Sequence, residues 1–214
     1  ALRHDTNLNS KSNLLRMTRK RVAFTLAEVL ITLGIIGVVA ALTIPAFVQH
    51  YNDKITVVKM KKMYTTLTNA YKMYSALDEN PSFETSSRNA DDAVKIANVF
   101  IPYLKISKDC GLGIQSHCMY QGYYKFLNGN NNEEYGKISN SYKIILQDGS
   151  LLWFAGGNGS SYQSAIYFDV NGAKEPNMWG KDLFVFFMTN NAIFPGGHPN
   201  VSNVYPFSNC ISAA

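Results

Sequence analysis

Between residues 24 and 44 the chain almost entirely lacks charge: Glu28 is the one ionisable side chain in that stretch. A surface helix of a soluble domain is excluded there, because such a helix needs a polar face. At about 1.5 Å per residue the run would reach roughly 31 Å as a helix, long enough to cross a bilayer. A second absence is any charge surplus beyond the first segment. The whole chain is formally +5, but six of its 20 bases and one of its 15 acids lie in residues 1–23, leaving 14 of each in the remainder. A neutral remainder gives a nucleic-acid partner no electrostatic support. Catalytic signatures are missing as well. There is no G-x-S-x-G, H-E-x-x-H, Walker loop or dinucleotide fingerprint, and His50, His117 and His198 are scattered. The glycine-rich residues 154–161 follow a strand pattern without opening a periodic helix, so they read as a loop. Cys110 and Cys118 with the neighbouring His117 make two Cys and one His, short of a four-ligand zinc site.

What is present is enough for a packed core: 214 residues, 46% apolar and 13% aromatic. Residues 1–16 are polar and aperiodic. Met17 then opens a compact basic leader containing Arg19, Lys20 and Arg21, so translation is expected to start at Met17, with residues 1–16 upstream or disordered. Bases directly ahead of an apolar run hold its N-terminus in the cytoplasm. The run could serve as a secretory signal, cut after the Val-Val-Ala that ends at Ala40, or as a simple anchor. Neither use explains Glu28. A charged, unpaired carboxylate within a membrane helix costs on the order of 2.5 to 3.5 kcal/mol, which makes it a functional hint unless it lies close enough to the interface to stay wet.

The residues Ala23-Phe24-Thr25-Leu26-Ala27-Glu28, the apolar run behind them and Pro45 together resemble the N-terminus of type IV prepilins and pseudopilins. The resemblance covers about forty residues and is carried by several features in one register. It departs from the commoner pattern in having Ala23 where Gly is usual. It implies that a prepilin peptidase cuts between Ala23 and Phe24, that Phe24 becomes the mature and often N-methylated first residue, and that Glu28 serves assembly. Pro45 falls where members of the family often have a helix kink. The implied partners are homologous subunits, the peptidase, and an inner-membrane platform with its ATPase motor. The subunit would sit in a bacterial inner membrane with its head periplasmic, and would later join a filament. The cut also supplies a partner for the acid. It creates an α-amino group, reference pKa near 7.7 to 8.0, which Glu28 could meet in its own chain or in a neighbouring one.

Past Pro45 the pattern becomes amphipathic. Phe47, Tyr51, Ile55, Met60, Met63, Tyr64, Leu67, Tyr71 and Tyr74 recur at spacings of three and four, predicting one buried stripe, while Lys59, Lys61, Lys62 and Lys72 read as a solvated face. Pro81 and the Ser/Thr-rich residues that follow are expected to end this helix. A shorter helix is predicted over 91–100, with Asn89 as cap and Pro102 as stop. Two strands are predicted around a turn at Asp148-Gly149, another before Asn171-Gly172, a last one in residues 181–190 and a weak one over 120–127. The expected class is α+β: a long N-terminal helix packed on a C-terminal antiparallel sheet, which is also the pilin-like fold. The expected organisation is a leader (1–23), an apolar helix (24–45), its amphipathic continuation (46–80) and an α+β head (81–214).

Asp169, Asn171 and Asp182 offer oxygens of the kind calcium prefers, and some major pseudopilins bind calcium near this point of the chain. Asp-x-Asn-Gly equally meets the needs of a tight turn and no EF-hand spacing is completed, so turn chemistry is the preferred reading and no cofactor is expected. In an oxidising compartment Cys110 and Cys118 are the first choice for a disulfide, leaving Cys210 free or competing. The sequence thus points to a non-enzymatic filament subunit of a type II secretion or type IV pilus machine. The alternatives are an exported enzyme or glycan-binding head that uses the segment only for export, and a DNA-uptake competence pilin.

Overall fold

The computed structural model describes residues 24–77, 89–114, 117–131, 133, 137–157 and 162–201. The chain divides into two compact units at Phe47 and Val48. In the first unit the described chain is helical from Leu26 onward. Helix α1 runs Leu26–Leu77 and continues through Pro45. Its large apolar side chains in this unit lie open to the surroundings, with Leu26 78%, Ile31 62% and Leu42 75% exposed.

The second unit is α+β, built from the C-terminal part of α1, helix α2 (Ala90–Phe100) and six strands. These are β1 (Ile106–Leu112), β2 (Ser141–Leu146), β3 (Leu151–Gly156), β4 (Ser164–Asp169), β5 (Leu183–Met188) and β6 (Ile193–Pro195). They form a single antiparallel meander in chain order. The β2–β3 connection is the expected hairpin. Leu146 N–H donates to Ser150 O (2.9 Å), Gly149 N–H to Leu146 O (3.0 Å), and Gly149 takes φ +79°, a left-handed conformation that a side chain would oppose. Helix α2 starts where its cap demands. The Asn89 side chain accepts from Asp92 N–H at 2.7 Å, and Asp91 and Asp92 place negative charge in the first turn. At its end Pro102 enters a short 3-10 turn, Ile101–Tyr103.

Both faces of the sheet are covered, which is why β3 and β5 read as continuous apolar runs rather than alternating ones. Even-numbered side chains of β3 to β5, among them Leu152, Phe154, Ile166, Phe168 and Phe186, pack with Met63, Leu67 and Tyr71 of α1 and with Ile96 and Phe100 of α2. The odd-numbered Trp153, Val185 and Phe187 face a second core with Tyr124, Tyr162 and Trp179. The register sets Trp153 opposite Tyr167, and their rings stack at 5.2 Å and 5°.

Two expectations are corrected and two strands are added. The buried stripe of α1 begins later than its periodicity suggests: Phe47 and Tyr51 are 71% and 57% exposed, and within α1 only Met63, Leu67, Ala70 and Tyr71 are fully buried. Residues 120–127 form no strand. Phe126 N–H closes on Asn130 O (2.8 Å), and only single bridges at Lys125 join this segment to Asn131 and Met178, because Tyr124 is drawn into the second core. The edge strands β1 and β6 escaped the pattern. β1 is mostly polar and twice breaks register, and β6 is three residues ending in proline. The expected helix end at Pro81 lies outside the described residues.

Candidate functional site

Phe24 precedes α1 and is 81% exposed, whereas Ala23 lies outside the described residues. Thr25 and Glu28 form a reciprocal cap at the start of the helix. Glu28 Oε2 accepts from Thr25 N–H (2.8 Å) and from the Thr25 hydroxyl (2.9 Å), while Thr25 Oγ1 accepts from Glu28 N–H (3.2 Å). A helix start leaves backbone donors unsatisfied, and Thr-x-x-Glu supplies an acceptor for one at each end of the motif. The signal is legible in the sequence as T-L-A-E, a Thr with a Glu three residues on. Glu28 Oε1 has no hydrogen-bond partner among the described residues, so the cap uses half of the carboxylate. The most apolar eighteen-residue window of α1 has a mean hydropathy of 2.4, and none of it is buried. By length and composition this helix can cross a membrane, as an anchor or as a signal sequence.

Asp169, Asn171 and Asp182 are brought together around the end of β4. Asp169 has no exposed surface. Its Oδ2 accepts from the Tyr124 hydroxyl (2.7 Å) and its Oδ1 from Asn171 N–H (3.2 Å), an Asx turn completed by Gly172 at φ +74°. Asp182 accepts from Asn177 N–H (2.7 Å) and Met178 N–H (2.6 Å). Burial, opposed by the Tyr124 hydrogen bond and reinforced by the Asp182 charge, pushes the Asp169 carboxyl up to about 7. Burial raises Asp182 as well, and burial followed by the Asp169 charge drives the Tyr124 phenol far upward. Calcium asks for six to eight oxygens. Here all four carboxylate oxygens already accept from protein donors, while Asn171 Oδ1 and Asn177 Oδ1 are buried without a partner. With every carboxylate oxygen engaged by a backbone N–H or a hydroxyl, these residues serve the turn chemistry that Asp-x-Asn-Gly calls for. Among the described residues no three His, Cys, Asp or Glu side chains gather as a metal-binding group.

Cys110 and Cys118 are joined in a disulfide. His117 is exposed beside a bridged sulfur, which is no nucleophile, so a Cys/His reading fails there. Cys210 lies outside the described residues. One residue without any sequence signal is Lys143, 1% exposed on β2. Its ammonium donates to Gly113 O (2.6 Å), Ile138 O (2.6 Å) and Ser141 Oγ (2.7 Å), tying the disulfide loop to the approach to β2, and burial lowers its pKa to about 8. A lysine within an otherwise apolar strand looks solvent-facing until the loop carbonyls above it are known.

Comparison with protein-family models, with curated proteins and with solved structures finds no match.

Proposed function

We propose that the chain is a filament-forming subunit of the type IV pilin superfamily, a pseudopilin or pilin trimmed between Ala23 and Phe24 before assembly. The observation that carries the reading is an uncovered apolar helix whose one carboxylate lies in its first turn, four residues after Phe24, with one oxygen left over from the cap. Once the bond before Phe24 is cut, the new ammonium group stands next to Thr25, within a turn of Glu28. Either this amine or that of a neighbouring subunit neutralises the acid in lipid, so docking in register relieves a cost that a lone subunit bears. The arrangement of α1 on an antiparallel sheet agrees with this reading, as does a disulfide in a compartment that permits oxidation.

The work of such a subunit is mechanical. It waits in the inner membrane with Arg19, Lys20 and Arg21 on the cytoplasmic side, is extracted by a motor-driven platform, and packs its apolar helix against those of other copies. No catalytic group or cofactor is needed. Mass spectrometry of the mature protein from its native envelope tests the reading. A chain beginning at Phe24, especially a methylated Phe24, supports it, whereas a chain beginning at Ala41, or one that keeps its leader, overturns it.

A further inference from the structure

The lysines of α1 do not all lie on a solvated face. Lys59 is half-buried and its ammonium donates to Val170 O at 2.8 Å. Lys59, Lys62, Met63 and Thr66 follow one another at positions i, i+3, i+4 and i+7, so they share one helix face, and that face is a wall of a cavity of about 380 Å³. The cavity lies wholly within the second unit. Its opposite wall is formed by Leu104, Lys105 and the start of the β2–β3 turn, fastened by Gln147 N–H donating to Lys105 O (2.9 Å). The floor is apolar: Met63, Leu146 and Phe168 are all buried.

The mouth is cationic. Lys59, Lys62 and Lys105 stand there against a single carboxylate, Asp148. That acid is already engaged, its Oδ1 accepting from Ser150 N–H (3.2 Å) and the Ser150 hydroxyl (2.5 Å). Partial desolvation works against its ionisation, yet those two bonds and the charges of Lys59 and Lys62 hold its carboxyl below the usual range. No described residue accepts a hydrogen bond from the ammonium groups of Lys62 or Lys105. Residues 24–214 carry as many acids as bases, so three lysines to one acid is a local excess that the average charge does not explain.

We propose that this cavity binds an organic anion with an apolar body, a carboxylate or phosphate head meeting Lys59, Lys62 and Lys105 while the body rests on Met63, Leu146 and Phe168. Its volume is in the range of small-molecule sites, and a greasy floor below a few convergent polar groups is their usual composition. An uncharged ligand would leave the clustered ammonium groups uncompensated, and a bare inorganic anion would leave the apolar floor wet.

The test uses the full-length chain in a non-ionic detergent, with the rate of reductive methylation of each lysine read by mass spectrometry. Decanoate is expected to slow modification of Lys62 and Lys105 at least fivefold and saturably, with Lys72 and Lys174 unchanged. Decanol and acetate are expected to protect neither. In Lys105→Glu, decanoate should lose its protection of Lys62 relative to that variant's own ligand-free rate, while the unfolding midpoint stays in place. Equal protection by decanol or by acetate, no protection by decanoate, or full protection of Lys62 in Lys105→Glu would each overturn the proposal. Decyl phosphate and phenylacetate separate the sources. Protection by the decyl compounds alone assigns a lipid-derived acid, protection by phenylacetate as well assigns a soluble one, and either result upholds the site.

Discussion

Asp169 keeps its carboxyl group fully enclosed at the end of β4, where it accepts from a phenol and a turn amide. Its pKa lies near 7 in the folded chain and near 3.8 when unfolded. The folded state therefore holds the proton more tightly, and the stability gained from this group is complete below about pH 4 and lost as pH rises through 7. At about 1.4 kcal/mol per pKa unit the ceiling on that loss is roughly 4 kcal/mol. Asp169→Asn keeps an oxygen for the Tyr124 hydroxyl and removes the titration. Between pH 5 and pH 8 the urea unfolding midpoint of the parent chain should fall relative to that of the variant, in which Asp182 and Lys143 still titrate; equal slopes in both would refute the assignment. Lys143 presents the reverse case of a buried cation surrounded by carbonyls. Lys143→Met should destabilise the unit by about 1 to 3 kcal/mol in a denaturant titration, because the acceptors it leaves behind have lost their donor.

At the scale of the element, the first turn of α1 makes Glu28 a cap for the helix, and the function proposed above would add a second duty, a charge for a partner. They can be separated by substitution. Glu28→Gln retains an oxygen for Thr25 N–H and the Thr25 hydroxyl but carries no charge, whereas Glu28→Ala removes both. Glu28→Gln is expected to enter the membrane and be trimmed like the parent, yet to yield at least tenfold less sheared filament on an immunoblot. Filament yield equal to the parent's would leave the cap as the whole role of this residue. Thr25→Val keeps the charge and loses the hydroxyl, and should assemble better than Glu28→Gln.

For the molecule as a whole, the class and the order of elements were legible because local signals agreed with the tertiary outcome. Asn89 capped its helix, Asp148-Gly149 turned its hairpin, and the runs of β3 and β5 were apolar on both faces because both are covered. What stayed hidden depends on neighbours distant in sequence. The polar strand β1 exists because β2 offers it a partner, Tyr124 leaves a strand-like segment to reach Asp169, and Lys143 and Lys59 find carbonyls 30 and 111 residues away. Of the candidate site, the residues and the Thr-x-x-Glu spacing are readable in the sequence, whereas which carboxylate oxygen the cap engages depends on the folded turn. Stability tests belong at this scale. Leu67→Ala, which removes a fully buried contact of α1 with the sheet, is expected to cost about 2 to 5 kcal/mol in a denaturant titration. Replacing Cys110 and Cys118 together by Ser should cost about 2 to 3 kcal/mol, and reductant should then shift the midpoint of the parent but not of the variant.

Among the described residues the meander has two margins with no further strand beside them, and neither invites another chain. β1 is interrupted twice by bulges and carries Lys108 and Asp109, while β6 is three residues long and ends at Pro195. Copies crowded against one another at high local concentration thus find no long, flat row of unpaired backbone groups along either margin on which to nucleate a cross-β deposit. If the chain assembles as proposed, its sheets can be stacked closely without fusing into their neighbours.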